Sequence, residues 1–271
     1  MKRLASVGLT FATYLIAIVY FFPVLLMFIT GFKQESQATV MPPALIFTPT
    51  LENFKLVWSS GAAHFFQNSL LVSAVSTAAA LLLGVPAAYA LAMYRIKRGD
   101  DILFWFISTK MLPVVGAIVP VYLVFKNINL LDTQLALIVM CVAMNVPLVV
   151  WMMRSFFKDI PYDLIEASQV DGASGIQGFL KITVPIVRPG IVSTGMLCAI
   201  FAWNEFLLGV SLTYTNAATM PVYMATFMTQ EGLFWAKMSA VATISALPPM
   251  ILGWFTQKQL VRGMTMGAVK G

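Results

Sequence analysis

Polar side chains inside long apolar stretches are the residues of this sequence best placed to do chemistry. An ionisable side chain at the middle of a membrane span costs about 2.5–3.5 kcal/mol on insertion scales, so such residues usually face a cavity or a partner. We therefore expect Glu205 to face a cavity in the outer half of the bilayer. A structural ion pair with Lys110 is the alternative, although the two residues differ in depth by roughly 10 Å at 1.5 Å per residue. The predicted pathway residues are Trp203, Asn204, Glu205, Asn145 and Lys110.

The sequence contains no constellation of residues for catalysis. It has no G-x-x-x-x-G-K-[ST] phosphate loop, no nucleophile elbow and no cluster of histidine and carboxylates suited to hydrolysis. We therefore predict that the chain is not an enzyme and holds no cofactor. Cys141 and Cys198 fall in apolar stretches and are predicted to be buried free thiols. The single histidine, His64, has no partner at ligand spacing, so no metal site is predicted.

The elements that must position these residues are membrane-spanning helices. The chain is 59% hydrophobic and only 10% charged, against roughly 25% charged in an average soluble domain, so lipid is its natural solvent. A helix needs about 20 residues to cross about 30 Å of hydrocarbon, and six apolar windows approach or exceed that length. We therefore predict a single all-α transmembrane domain over residues 1–271. The predicted spans are about 9–32, 65–94, 102–125, 133–153, 189–212 and 238–257.

Lysine and arginine residues are distributed unevenly between the predicted loops, and positive residues near short loops are retained on the cytoplasmic side. Both termini and the polar loop 158–188 are therefore predicted to be cytoplasmic. The formal net charge of +6 is thus a signal of topology, and nucleic-acid binding is not predicted. Twelve residues fall on the cytoplasmic side (Lys2, Arg3, Arg95, Lys97, Arg98, Arg154, Lys158, Lys181, Arg188, Lys258, Arg262, Lys270) and four on the other (Lys33, Lys55, Lys126, Lys237).

The longest polar segment, residues 161–190, begins with a pattern typical of a short helix outside the bilayer. Pro161 suits the first turn of a helix, and Glu166 places negative charge near the positive end of that helix. Gly172 relaxes the backbone enough for a bend, which another chain could approach closely. The pattern therefore predicts a helix that ends in a bend near Gly172.

A second short helix is predicted from about Ser174 to Ile182, with Phe179 and Leu180 as its apolar anchors. It should end before Pro185, because the residue that precedes a proline disfavours α geometry. The two helices would lie at an angle to each other. A surface helical hairpin with no partner is the alternative interpretation of the segment.

Part of this segment resembles a known motif. The sequence EASQVDGASG at residues 166–175, followed by Pro185 and the triplet Arg188-Pro189-Gly190, resembles the cytoplasmic EAA loop of bacterial ATP-binding-cassette (ABC) importer permeases. The resemblance covers most of the chain and is closest to the shorter permease half of the maltose-type carbohydrate importers. Further landmarks of that group are residues 111–133, residues 203–213 and the final RGMTMGAVKG.

The resemblance implies a type I importer permease with six spans in the bacterial cytoplasmic (inner) membrane. It implies a coupling loop that docks into an ATPase subunit, with Glu166 as an ionic contact and Gly172 as the tight bend. Ser168 stands where the motif more usually has alanine, a change between small residues. The implied partners are a second related permease, two ATPase subunits that bind ATP and Mg, and a periplasmic or lipid-anchored solute-binding protein. The implied coupling residues are Glu166, Ala167, Asp171, Gly172, Ala173 and Ser174.

The function expected from the resemblance is ATP-driven import of a carbohydrate: a sugar, a sugar alcohol or a sugar derivative. Aromatic and amide side chains in the spans suit a hydroxyl-rich ligand, although they also suit ordinary packing. The alternative is a stand-alone secondary transporter or channel for a small polar solute, because one membrane carboxylate can suffice for such a protein. A tightly bound ATPase is required by the first function and not by the second.

Overall fold

The computed structural model describes residues 2–229 and 232–266. In chain order its α-helices are α1 (Lys2–Gly31), α2 (Glu35–Ala38), α3 (Glu52–Val57), α4 (Ala63–Met93), α5 (Gly99–Met111), α6 (Val114–Asn127), α7 (Gln134–Lys158), α8 (Tyr162–Val170), α9 (Gly175–Gly178), α10 (Val184–Ile186), α11 (Arg188–Trp203), α12 (Leu207–Leu212), α13 (Met220–Ala225) and α14 (Trp235–Met266). One antiparallel pair of two-residue strands, β1 (Met228–Thr229) and β2 (Gly232–Leu233), precedes α14. The last five residues of the RGMTMGAVKG tail, which include Lys270, lie outside the described residues.

Among the described residues, four helical stretches are long and apolar enough to cross a membrane: Gly8–Gly31, Glu52–Met93, Gln134–Lys158 and Trp235–Gln257. Two more spans would form if each of two bent helix pairs crossed as a unit. These pairs are α5 with α6, bent by 89°, and Gly175–Ile186 with α11, bent by 76°. The chain is therefore an all-α polytopic membrane protein, and the number of six spans stays a prediction.

Two of the predicted spans are interrupted in the structure. Residues 102–125 contain a break between α5 and α6, where the backbone is extended at Leu112 and Pro113. Residues 189–212 are divided between α11 and α12 by Asn204, Glu205 and Phe206. Asn204 and Glu205 bind backbone groups through their side chains, and such local bonds compete with a continuous helix. A hydropathy window does not record these bonds.

The chain divides into two compact units by its internal contacts, and the first comprises Met1–Phe66 and Met220–Leu247. In this unit the buried amide of Asn53 donates to the carbonyls of Gly31 and Lys33, at 3.0 and 2.7 Å. These bonds satisfy backbone acceptors at the end of α1 that the helix leaves without a partner. Glu35 accepts from the N–H of Ala236 at 3.0 Å and so caps the start of α14. The end of α1 and the start of α14 are thereby fixed within the first unit.

The second unit comprises Gln67–Thr219 and Pro248–Gly271 and holds every residue of the two candidate sites described below. Helix α7 lies at its centre and packs against α5 and α11. Close packing is possible because small residues face bulky ones: a Cβ atom added to Gly84 would lie 2.6 Å from Val149. Small residues are the usual means of close helix approach in lipid, where no hydrophobic force drives helices together.

Candidate functional site

Helix α8 has one buried face and one exposed face. Ile165 and Ser168 are buried, and Ser168 Oγ donates to the Ile165 carbonyl at 2.7 Å. A Cβ atom added to Gly178 would lie 3.4 Å from Ser168 Oγ. Position 168 therefore requires a small residue because α8 meets α9 there, and serine meets this requirement as alanine would.

Helix α8 ends in a Schellman motif centred on Gly172. The N–H of Gly172 donates to the Gln169 carbonyl at 3.0 Å, and the N–H of Ala173 donates to the Ser168 carbonyl at 2.9 Å. The φ angle of Gly172 is +82°, a conformation that glycine adopts without steric cost. A Cβ atom at this position would meet nothing within 4 Å. The backbone of this chain thus requires the glycine, while the space beside it is open.

Helix α9 begins with a capping box one residue after this motif. Ser174 Oγ accepts from the Gln177 N–H at 3.3 Å, and Gln177 Oε1 accepts from the Ser174 N–H at 3.1 Å. The two reciprocal bonds satisfy backbone donors at the start of the helix. Because Ala173 alone separates Gly172 from Ser174, hydrogen bonds fix the backbone on both sides of the turn.

The second short helix differs from its predicted form at both its anchors and its end. Phe179 packs beside the rings of Tyr89 and Phe157, with centroid distances of 4.8 and 6.4 Å, as predicted. Leu180 was the wrong choice for the other anchor, since its side chain is 57% exposed. The helix also does not end before Pro185: a π turn over Phe179–Thr183 continues into α10. Proline is tolerated there because it occupies the first turn of the next segment.

The surface of this turn carries most of the residues predicted for coupling. Ala173 is half-buried. The other predicted coupling residues are exposed: Glu166, Ala167, Asp171, Gly172 and Ser174. Val170 and Ile176 lie on either side of the turn with 87% and 73% of their surface exposed, and the sequence analysis missed them. The turn therefore presents two large apolar side chains beside its polar ones. Their apolar type within a polar segment was the available signal.

The second candidate site lies around Lys110, in the last turn of α5. Lys110 Nζ donates to the Met144 carbonyl on α7 at 3.0 Å and lies 5.2 Å from the centroid of the Phe201 ring. The side chain lines a cavity of about 280 Å³. The other residues of the cavity wall are Thr109, Leu112, Val114, Ala117, Ile118, Val121, Met140, Ala143, Met144, Pro147 and Leu208.

Glu205 forms no ion pair with Lys110 among the described residues. Glu205 Oε1 instead accepts from the Leu208 N–H at 3.0 Å and caps the first turn of α12. A carboxylate at a helix N-terminus is stabilised by the helix dipole. The half-buried position of Glu205 in the break between α11 and α12 therefore has a local structural cause.

The remaining predicted pathway residues have different environments. Asn204 is exposed, and its amide donates to the Ile200 carbonyl at 2.8 Å. Trp203 and Asn145 are buried, and the Asn145 amide donates to the Cys198 carbonyl at 3.3 Å, linking α7 to α11. Trp203 lines a smaller cavity of about 30 Å³, which Lys110 does not share. The structure therefore does not gather the five residues into one cavity.

An acidic residue that the sequence analysis did not select organises the segment after α12. The carboxylate of Asp132 accepts from the four consecutive backbone N–H groups of residues 214–217, at 2.9 to 3.4 Å. Partial burial raises the pKa of this carboxyl, but the four N–H donors together outweigh burial and hold its pKa below the ordinary value. The N–H of Asp132 donates to the Leu212 carbonyl at 2.8 Å, so the contact runs in both directions.

In the described part of the chain, no group of three His, Cys, Asp or Glu residues is placed to hold a metal ion. Cys141 and Cys198 are both buried and free, as predicted.

Comparison with known proteins agrees with this architecture. Residues 80–265 match the model of the family described as binding-protein-dependent transport system inner membrane component. The chain is 34% identical over 253 residues to the sulfoquinovosyl glycerol transport system permease protein of Agrobacterium fabrum, covering 92% of this chain and 89% of that one. It is 34% identical over 255 residues to the trehalose transport system permease protein of Mycobacterium tuberculosis, covering 92% of each.

The fold is also similar to that of a solved transporter. One chain of a bacterial ABC transporter involved in the import of the acidic polysaccharide alginate superposes with a TM-score of 0.74 at 22% identity, covering 95% of this chain and 96% of that one. This chain belongs to the family of binding-protein-dependent transport system inner membrane components.

Proposed function

We propose that this chain is the transmembrane permease subunit of an ATP-driven carbohydrate importer, and that it couples to an ATPase subunit through the turn between α8 and α9. The observation that carries the proposal is this turn itself. Its backbone is fixed by a Schellman motif and a capping box, while Val170 and Ile176 project from it without cover in this chain. A rigid turn with an uncovered apolar surface suits a partner that must transmit movement.

The route for that movement starts at Phe179, directly after α9. Its ring packs against Tyr89 of α4 and Phe157 of α7. A displacement of the turn would therefore press on two long helices through packed aromatic side chains, which deform little. The predicted contacts of Glu166, Asp171 and Ser174 would add polar and ionic specificity at the rim of the docking surface.

The rest of the assembly follows from the same function. A second permease would complete the pathway, two ATPase subunits would bind ATP and Mg, and a periplasmic or lipid-anchored binding protein would deliver the solute. The membrane would be the bacterial inner membrane, with both termini in the cytoplasm. The most apolar window of helix α1 has no buried residue within this chain, which leaves its surface to lipid or to another membrane subunit.

A carbohydrate substrate is supported by the relatives named above, which are named for sulfoquinovosyl glycerol and for trehalose. Both molecules carry sugar hydroxyl groups. A sugar, a sugar alcohol or a sugar derivative is therefore the proposed solute class for this chain.

Photocross-linking tests the docking surface directly. A benzoylphenylalanine residue placed at Val170 should cross-link to a co-purifying ATPase subunit, because the side chain projects from the turn. The matched control is Ile46, which is 96% exposed in the loop between α2 and α3 and should not cross-link to that subunit. A purified, transport-competent chain without any ATPase subunit would favour the secondary transporter and contradict the proposal.

A further inference from the structure

We propose that Lys110 binds an anionic group of the transported solute, so that the substrate is an acidic carbohydrate bearing a carboxylate, sulfonate or phosphate. This inference rests on the proposed function and names its substrate class. It begins from the ammonium group of Lys110, which lies against the cavity of about 280 Å³ between α5, α6 and α7.

The ammonium group of Lys110 lies too far from the ends of α7 to reach the lipid headgroups. Its ammonium donates to the carbonyl of Met144, which is ten residues from the start of α7 at Gln134 and fourteen from its end at Lys158. At 1.5 Å per residue the carbonyl is roughly 15 Å from one end of the helix and roughly 21 Å from the other. The charge therefore lies near the middle of α7, a helix long and apolar enough to cross the membrane, where a lipid phosphate is out of reach.

The charge of Lys110 is also not neutralised within the described residues. No carboxylate oxygen there lies within 4.0 Å of its Nζ atom. An ammonium has three N–H donors, and the Met144 carbonyl uses one of them. The Phe201 ring, 5.2 Å away, adds a cation–π contact that does not consume a directed donor. Two donors are thus left for a group that enters the cavity.

A purely structural role explains only part of this arrangement. A lysine in the last turn of a helix interacts favourably with the helix dipole, and Lys110 occupies that position in α5. The dipole does not require a cavity, however, and here the helix bends away by 89° directly after Lys110. The bend leaves the ammonium at the wall of a space instead of in close packing.

The composition of the cavity wall is that of a ligand site with one dominant polar group. Its wall is mostly aliphatic, and Lys110 with Thr109 supply the polar side chains. Its volume is close to the lower end of the roughly 300–1,000 Å³ usual for small-molecule sites. A solute of single-sugar size with one negative charge is compatible with this wall: the aliphatic side chains face C–H groups of the ring, and the ammonium binds the anion through charge-assisted hydrogen bonds.

Equilibrium binding to the purified full complex in nanodiscs tests the inference. The probes are D-glucuronate, 6-deoxy-6-sulfoglucose and D-glucose 6-phosphate, each compared with neutral D-glucose. We expect at least one anionic probe to bind about tenfold or more tightly than D-glucose, since hydrogen bonds to charged groups are of that strength. Lys110→Gln should reduce this ratio to about twofold or less, and Lys110→Arg should keep most of it.

The matched control is Lys126→Gln, which removes an exposed charge at the end of α6 outside the cavity and should leave the ratio unchanged. No preference for any anionic probe in the wild type would overturn the inference. A preference that survives Lys110→Gln would do the same. Poor recovery of the Lys110→Gln complex without any anion preference in the wild type would assign Lys110 to a carboxylate on the second permease, again against the inference.

Failure of this inference is separable from failure of the proposed function. The same preparation is assayed for a co-purifying ATPase subunit and for ATP hydrolysis. If the complex contains an active ATPase subunit but shows no preference for anionic probes, the result would contradict the inference alone. The absence of an ATPase subunit would remove the proposed function and the inference with it.

Discussion

Gly190 lies against the ring of Phe156 with no room for a side chain between them: a Cβ atom added to the glycine would be 2.6 Å from Phe156 Cγ. The contact joins the start of α11 to α7. Gly190→Ala should therefore destabilise the purified chain by about 1–3 kcal/mol, the usual cost of overpacking. Thermal unfolding in detergent measures the effect. The control is Gly116→Ala within α6, where a Cβ meets nothing within 4 Å and stability should not fall.

Removal of the predicted ionic contact at the turn should lower both transport and substrate-stimulated ATPase activity. Glu166 is exposed on α8, so Glu166→Ala should leave folding and membrane insertion intact. If the charge pairs across a buried interface, the loss is worth a few kcal/mol and substrate-stimulated ATPase activity should fall sharply. Gln169→Ala, an exposed neighbour on the same helix, is the control. Wild-type stimulation in Glu166→Ala would contradict the predicted role.

Replacement of Glu205 by glutamine separates its local role from a role in the pathway. Glutamine keeps an oxygen for the Leu208 N–H, so Glu205→Gln should lose only the dipole term, about 0.3–1 kcal/mol. Glu205→Ala removes the cap altogether and should cost about 0.5–2 kcal/mol. If the charge also serves the pathway, transport per assembled complex should change in the glutamine variant. Unchanged transport with reduced stability would leave Glu205 a structural residue alone.

The contact between Asp132 and residues 214–217 should make stability depend on pH. Because the folded pKa of this carboxyl lies below the unfolded value of about 3.9, its contribution is present above pH 3.9 and is lost as the pH falls through the lower folded value. Asp132→Asn should therefore lower stability by about 1 kcal/mol at pH 7, a small figure because the carboxylate is partly exposed. Thermal unfolding should show this difference shrinking toward acid pH.

The control for that measurement is Asp101→Asn, which changes an exposed carboxylate in the first turn of α5. Its effect on stability should be smaller at pH 7. A difference between wild type and Asp132→Asn that stays constant from neutral to acid pH would contradict the electrostatic account of the contact.

Single cysteines test the predicted topology. In a chain whose native cysteines are replaced by alanine, a cysteine at Ser174 should react only with reagents that reach the cytoplasm. A cysteine at Ile46 should react with impermeant reagents added to intact cells. Both positions are exposed, so differences in reactivity report the side of the membrane. Labelling of both positions from outside would end the model with the N-terminus inside.

The features that sequence reasoning predicted well are those encoded by neighbouring residues. The bend at Gly172 and the start of a helix at Ser174 depend on glycine at a positive φ angle and on a serine cap, which are local signals. The prediction of Leu180 as a second anchor failed because it is adjacent to Phe179 and also apolar, so residue type does not distinguish the two. Phe179 packs inward because its ring contacts Tyr89 of α4 and Phe157 of α7, which are distant in the sequence.

The positions of the predicted pathway residues also depend on structure that residue type does not encode. Trp203, Asn204 and Glu205 are consecutive in the sequence, but the end of α11 falls among them and sends each side chain to a different environment. Asp132 was missed because its partners are the backbone N–H groups of residues 214–217, some eighty positions away. Residue type gives no signal for an acceptor of backbone bonds at such a separation.

The conformation of Gly172 implies a requirement of handedness. Its φ angle of +82° is costly for any L-amino acid with a side chain, yet a methyl group would meet no atom of this chain. A D-alanine at this position would satisfy the backbone, whereas L-alanine would strain it. The mirror-image residue would therefore add a methyl group without straining the turn, so any loss of coupling that it caused would report a contact with the partner.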